Sequence, residues 1–66
     1  PEYQSAGDVN LREIEIDRYH KWNGKSIEDL KLPNDILIAM LKRGEENIIP
    51  SGKTVIHEND TVVIYD

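Results

Sequence analysis

Six consecutive apolar residues, Ile36-Leu37-Ile38-Ala39-Met40-Leu41, constrain this chain most. The run does not alternate, so it reads as a strand covered on both faces rather than one with a wet side. At six residues it is too short for a membrane span, which needs about 18 or more. Nearby Gly44 also argues against a helix. A strand buried on both sides must lie in the middle of a sheet, so the rest of the chain has to supply its neighbours.

The flanking sequence offers them. Ile14 and Ile16 alternate with Glu13, Glu15 and Asp17, the period of two of a half-buried strand. Asn47-Ile48-Ile49 reads as a short strand stopped by Pro50-Ser51-Gly52-Lys53. Thr54-Val55-Ile56-His57 reads as another. Thr61-Val62-Val63-Ile64-Tyr65, β-branched at four of its five positions, suits a pleated conformation. Asn23-Gly24, Gly44-Glu45-Glu46 and Glu58-Asn59-Asp60 are turns. Between Gly24 and Pro33, Ser26 can cap a short helix, with Asp29 as a weaker capping-box partner. Ile27 and Leu30 share a face of that helix, and Pro33 ends it. The expected fold is α+β: a small, mostly antiparallel β-sheet with one short helix after the first strand. Pro1 to Asn10 carry no period and read as a flexible linker, leaving residues 11–66 as one domain.

Sixty-six residues bury only about 60% of their unfolded surface, and the chain has no cysteine to staple a marginal core. Association is the remaining route to stability, so a homodimer is expected. Thirteen acidic residues against eight basic give a net charge of −5. That balance disfavours nucleic acid and anionic membrane surfaces, both of which need a basic face. The start at Pro1 suggests a piece excised from a longer protein.

Chemistry-bearing residues are sparse. His20 and His57 have no second ligand at metal-site spacing, and no metal is expected. Ser5, Ser26 and Ser51 stand in linker or turn contexts, outside any nucleophile elbow. Lys25-Ser26 lacks the first glycine and the preceding strand of a phosphate loop. Glu13, Glu15 and Asp17 read as a solvated strand face. No nucleophile–base constellation is present, so no catalytic residues are assigned and the chain is not expected to be an enzyme. Lys42 and Arg43 can be a solvated strand end or cations beside an anionic ligand.

The series Leu32-Pro33, Ile36-Leu37-Ile38, Lys42-Arg43-Gly44, Ile48-Ile49-Pro50-Ser51-Gly52, Thr54-Val55-Ile56 and Asn59-Asp60 resembles the TrkA-C (RCK-C) family. Gly24-Lys25-Ser26-Ile27-Glu28-Asp29-Leu30 resembles that family's helix entry. The likeness covers about Leu11 to Tyr65. Asn59-Asp60 stands where the family usually has Gly-Asp, and asparagine tolerates the positive φ such a turn requires.

The resemblance implies a cytoplasmic regulatory domain, tethered to a membrane transport domain. Leu-Pro before the apolar strand and Ile-Ile-Pro after it look more like the members on CLC-type chloride channels and cation/proton antiporters than like potassium-uptake subunits. It also implies a homodimer whose cleft senses a small nucleotide ligand, cyclic di-AMP foremost, with no other cofactor. A two-fold ligand would lie on a two-fold cleft. The candidate site is then Leu32, Pro33, Asn34, Ile36 and Leu37 with Asn47, Ile48, Ile49 and Pro50. Ile36, Leu37, Ile48 and Ile49 would wall the base, Asn34 and Asn47 would hydrogen-bond it or its phosphate, and Arg43 is a secondary phosphate ligand. Each apolar member can equally be a core residue, and Asn34 can equally be a turn residue. Three other readings stay open: a structural dimerisation module without ligand, a ligand-sensing domain of a soluble transcription regulator, and a small enzyme subunit or metal-binding domain.

Overall fold

A computed structural model describes residues 10–65. Four strands form one antiparallel sheet: β1 (Leu11–Glu15), β2 (Leu37–Arg43), β3 (Glu46–Ile48) and β4 (Thr61–Tyr65). Their spatial order is β1-β4-β2-β3. The C-terminal strand therefore enters the sheet between β1 and β2, pairing Leu11 and Leu37 with Tyr65 from either side. The apolar β2 is a central strand, paired with β4 on one side and β3 on the other. A register shift between Ile38 and Met40 marks a bulge in its ladder with β4. β2 and β3 join through the turn at Gly44 and Glu45, where Gly44 takes φ 62. That left-handed conformation costs an L side chain about 1–2 kcal/mol.

One face of the sheet is covered by the irregular segments between strands. Ile16, Ile38, Leu41, Ile56, Val62 and Ile64 form the buried core. Ile14, Trp22, Ile27, Leu30, Leu32, Ile36 and Ile48 pack around it, so Ile27 and Leu30 do share an inward face. Ile16 lies just past β1 but is held like a strand residue. Its N–H donates to the Asp60 carbonyl at 2.9 Å, and its carbonyl accepts from the Asn59 N–H at 2.7 Å.

Three expectations from the sequence need correction. The short helix is a single 3-10 turn, Glu28–Leu30, whose N-cap is Ile27 and which has no side-chain cap. Only eight residues separate Gly24 from Pro33, too few to offset the entropy of nucleating a helix. Thr54–His57 is not a sheet strand. Val55 makes one isolated bridge to Ser26, with Ile27 N–H donating to Thr54 O and Ile56 N–H to Lys25 O. Turns close by on both sides leave this segment no length for a ladder, and it serves as a lid on the core instead. Finally, β2 is not covered on both faces. Leu37 is 58% exposed while Leu41 is fully buried. Asn10 is exposed and outside any strand. The rest of the proposed linker and Asp66 lie outside the described residues.

Asn59 takes φ 74, the positive value that its turn was expected to require.

Candidate functional site

The uncovered sheet face carries an apolar row. Leu11 and Leu37 both pair with Tyr65, so three side chains on three strands line up across the sheet. They are 62%, 58% and 40% exposed respectively. Strand alternation places Glu13, Val63 and Lys42 on the same face. Lys42 Nζ donates to Glu13 Oε2 at 2.9 Å across β4. Glu13 is thus paired rather than simply solvated.

The sequence-derived site residues divide between the two faces. Ile36 and Ile48 pack against the core. Leu37 and Ile49 are exposed. The four do not form one wall within a single chain. Ile48 is opposite Leu41, which puts it about 13 Å along the sheet from Leu37. Asn47 is exposed on β3 opposite Lys42. Asn34 is exposed in a turn closed by the Ile36 N–H to Pro33 O bond, and Pro50 is half-buried beyond β3.

Arg43 is already engaged. Its Nε and Nη2 donate to the two oxygens of the Asp60 carboxylate, each at 2.8 Å, and Nη2 also donates to Val55 O at 3.0 Å. Asp60 Oδ2 further accepts from the His57 N–H at 2.8 Å. The Arg43 hydrogen bond, helped by the one from His57, holds the Asp60 carboxyl below its usual range, against the opposing effect of burial. The same bond to Asp60 raises the Arg43 guanidinium above its ordinary value. The pair clamps the 55–60 segment to β2. A phosphate reaching Arg43 meets a guanidinium whose bidentate edge is occupied.

A concavity of about 340 Å³ opens within the connection between β1 and β2, whose Trp22, Leu30 and Leu32 pack against the core. Leu32 and Pro33 line it, and they are the two members of the expected site that reach it. Trp22 forms part of its wall, with Lys21, Lys25 and Lys31 around it. Sequence reading missed these four. His20 braces Trp22: its Nδ1 accepts from the Trp22 backbone N–H at 3.1 Å, and its ring stands edge-on to the indole at 5.3 Å. Lys31 ends the 3-10 turn at φ 51, ψ 50, a conformation that β-carbon-bearing residues rarely adopt. A lone tryptophan amid scattered lysines was the available signal, but nothing in their spacing says that they meet. A second cavity, of about 330 Å³, is lined by Glu15, Asp17, Asn59 and Asp60. Among the described residues no group of histidine, cysteine, aspartate or glutamate could hold a metal ion. No helix among them is long and apolar enough to cross a membrane.

A Trk system potassium uptake protein TrkA homolog of Archaeoglobus fulgidus is 38% identical over 60 residues, covering 91% of this chain and 14% of that protein. The TrkA of Vibrio alginolyticus is 43% identical over 42 residues, covering 64% of this chain and 9% of the relative. The chain thus spans about a seventh or less of the length of these relatives. A solved structure described as "Structure of RCK domain with cda" superposes with a TM-score of 0.70 at 26% identity, over 85% of this chain and 79% of that one. The family model described as TrkA-C domain matches residues 11–65, nearly the whole chain, and the protein belongs to the TrkA-C domain family.

Proposed function

We propose that this chain is the ligand-sensing regulatory domain of an ion-transport system, working as a homodimer whose cleft takes a cyclic dinucleotide. The observation that carries the reading is the open sheet face. Leu11, Leu37 and Tyr65 form an apolar row, and Ile49 is 76% exposed beyond β3. A 66-residue chain with so small a core gains most from covering such a row with a second copy. In a two-fold dimer, each chain's Leu37 and Ile49 would meet the ligand together with the partner copy's equivalents. Residues that stand apart in one chain would thereby become one wall.

Cyclic di-AMP is the ligand we favour. The similar RCK structure is described as being with cda, which we read as that compound. Ligand binding would favour one dimer arrangement over another, and a tethered transport component would respond only to that difference in affinity. The names of the relatives favour potassium uptake as the host system. The Leu32-Pro33 and Ile48-Ile49-Pro50 sequences favour a CLC-type channel or a cation/proton antiporter. In either host the domain would face the cytoplasm and catalyse no reaction.

Titration calorimetry tests the reading. Cyclic di-AMP should saturate the protein at one ligand per two chains. Absence of any saturable heat up to about millimolar ligand would leave a dimerisation module without ligand as the better account. Saturation at one ligand per chain would move the site off the two-fold axis.

A further inference from the structure

The concavity beside Trp22 stands apart from the open sheet face. Three of the chain's eight basic residues, Lys21, Lys25 and Lys31, line it, with Asp29 as its single carboxylate. None of the three lysines has an ion-pair partner among the described residues, whereas Lys42 and Arg43 each do. A chain of net charge −5 has carboxylates in excess, yet three lysines line this one concavity against a single carboxylate, Asp29. Such a cluster creates a local positive potential that draws in a small anion. The remaining wall is the partly buried indole of Trp22 with Leu30, Leu32 and Pro33, which suits a flat apolar ring. Aromatic faces stack on planar rings, and lysines bind phosphate as point charges. A volume of about 340 Å³ is at the low end for small-molecule sites, which fits one ring system with its phosphate rather than two.

We propose that this pocket binds a nucleoside monophosphate, its base against Trp22 and its phosphate among Lys21, Lys25 and Lys31. The site is built from one chain. It shares only Leu32 and Pro33 with the residues proposed for the dimer cleft, and it stands whether or not that cleft takes a cyclic dinucleotide.

Trp22 is the chain's single tryptophan, so its fluorescence reports on the site directly. Titration with adenosine 5′-monophosphate should give a saturable change that weakens as salt is raised. Adenosine without phosphate should bind at least tenfold more weakly, an effect of about the size expected from removing two or more exposed ion pairs. The triple variant Lys21→Gln, Lys25→Gln, Lys31→Asn should lose affinity about tenfold while keeping the wild-type melting temperature, since all three side chains are exposed. Lys53→Gln, in the turn after Gly52, should bind as the wild type does. A Leu37→Asp variant, altered on the opposite sheet face, should retain the signal. Three results would each overturn the proposal: no saturable change up to about 10 mM nucleotide, equal binding of adenosine, or a signal that persists in the triple variant. Loss of the signal in Leu37→Asp would likewise overturn it, by assigning the nucleotide to the dimer cleft.

Discussion

Asp60, 1% exposed, receives Arg43 through two hydrogen bonds of 2.8 Å and thereby fastens the last turn of the chain to the central strand. The pair is asymmetric: the Arg43 side chain is 37% exposed, while the carboxylate lies inside. Removing the arginine leaves a buried charge with only the His57 N–H as partner. Such uncompensated charges cost about 3–5 kcal/mol, and water reaching this one from the arginine side reduces the loss. Arg43→Met should destabilise the fold by about 2–4 kcal/mol in urea unfolding. A loss within 0.5 kcal/mol or so would show that the clamp contributes nothing.

The same contact makes stability depend on acid. The folded Asp60 carboxyl titrates below its unfolded value of about 3.9. Its contribution is therefore complete above about pH 4 and is lost as pH falls through the depressed folded value. Thermal melting between about pH 2 and 5 should fall more steeply for the wild type than for Asp60→Asn, which has no proton to take up there. Parallel curves would locate the acid sensitivity elsewhere.

Leu37 lies on the open face next to Tyr65, so a charge there meets solvent in one chain but a partner in a dimer. Leu37→Asp should abolish the proposed homodimer in sedimentation at micromolar concentration while circular dichroism keeps the strand signal. A dimer that survives the change would show that copies associate by another surface.

Leu41 and Ile49 provide a contrast within one region. Leu41 is fully buried in the core, and Leu41→Ala should cost about 2–5 kcal/mol. Ile49 is 76% exposed, and Ile49→Ala should change the stability of the single chain by no more than about 0.5 kcal/mol. A large loss at Ile49 at dimer-forming concentrations, absent on dilution, would mark it as an interface residue.

Asn59 holds φ 74 in the turn before β4. The branched Cβ of valine disfavours that conformation, so Asn59→Val should destabilise by about 1–2 kcal/mol, and Asn59→Gly, which adopts it freely, should cost less than half as much. Equal losses for both would mean that the side chain, not the backbone, matters at this position.

Local pattern alone determined much of this protein. Alternation of Ile14 and Ile16, the β-branched series Thr61 to Ile64 and the unbroken run Ile36 to Leu41 specify strands, because side-chain period and shape act within a few residues. Asn59 and Gly44 specify turns for the same reason: the preferred φ belongs to the residue itself. Tertiary structure decided the rest. Thr54 to His57 has strand composition, yet its Ile56 N–H donates to Lys25 O and its Thr54 carbonyl accepts from the Ile27 N–H, rather than either joining the sheet. Ser26 to Leu30 carries a capping residue and a paired apolar face, yet it is too short to propagate a helix. β4 inserts between β1 and β2, which brings Leu11, Tyr65 and Leu37 into one row although they come from the start, the end and the middle of the sequence. Arg43 stands at a strand end that could meet a ligand, but Asp60, 17 residues away, holds it. Lys21, Lys25 and Lys31 have no periodicity that relates them, and only the path of the chain around Trp22 turns them toward one cavity. Periodicity records which way a residue faces. Which distant residue it faces depends on chain reversals whose positions no local pattern encodes.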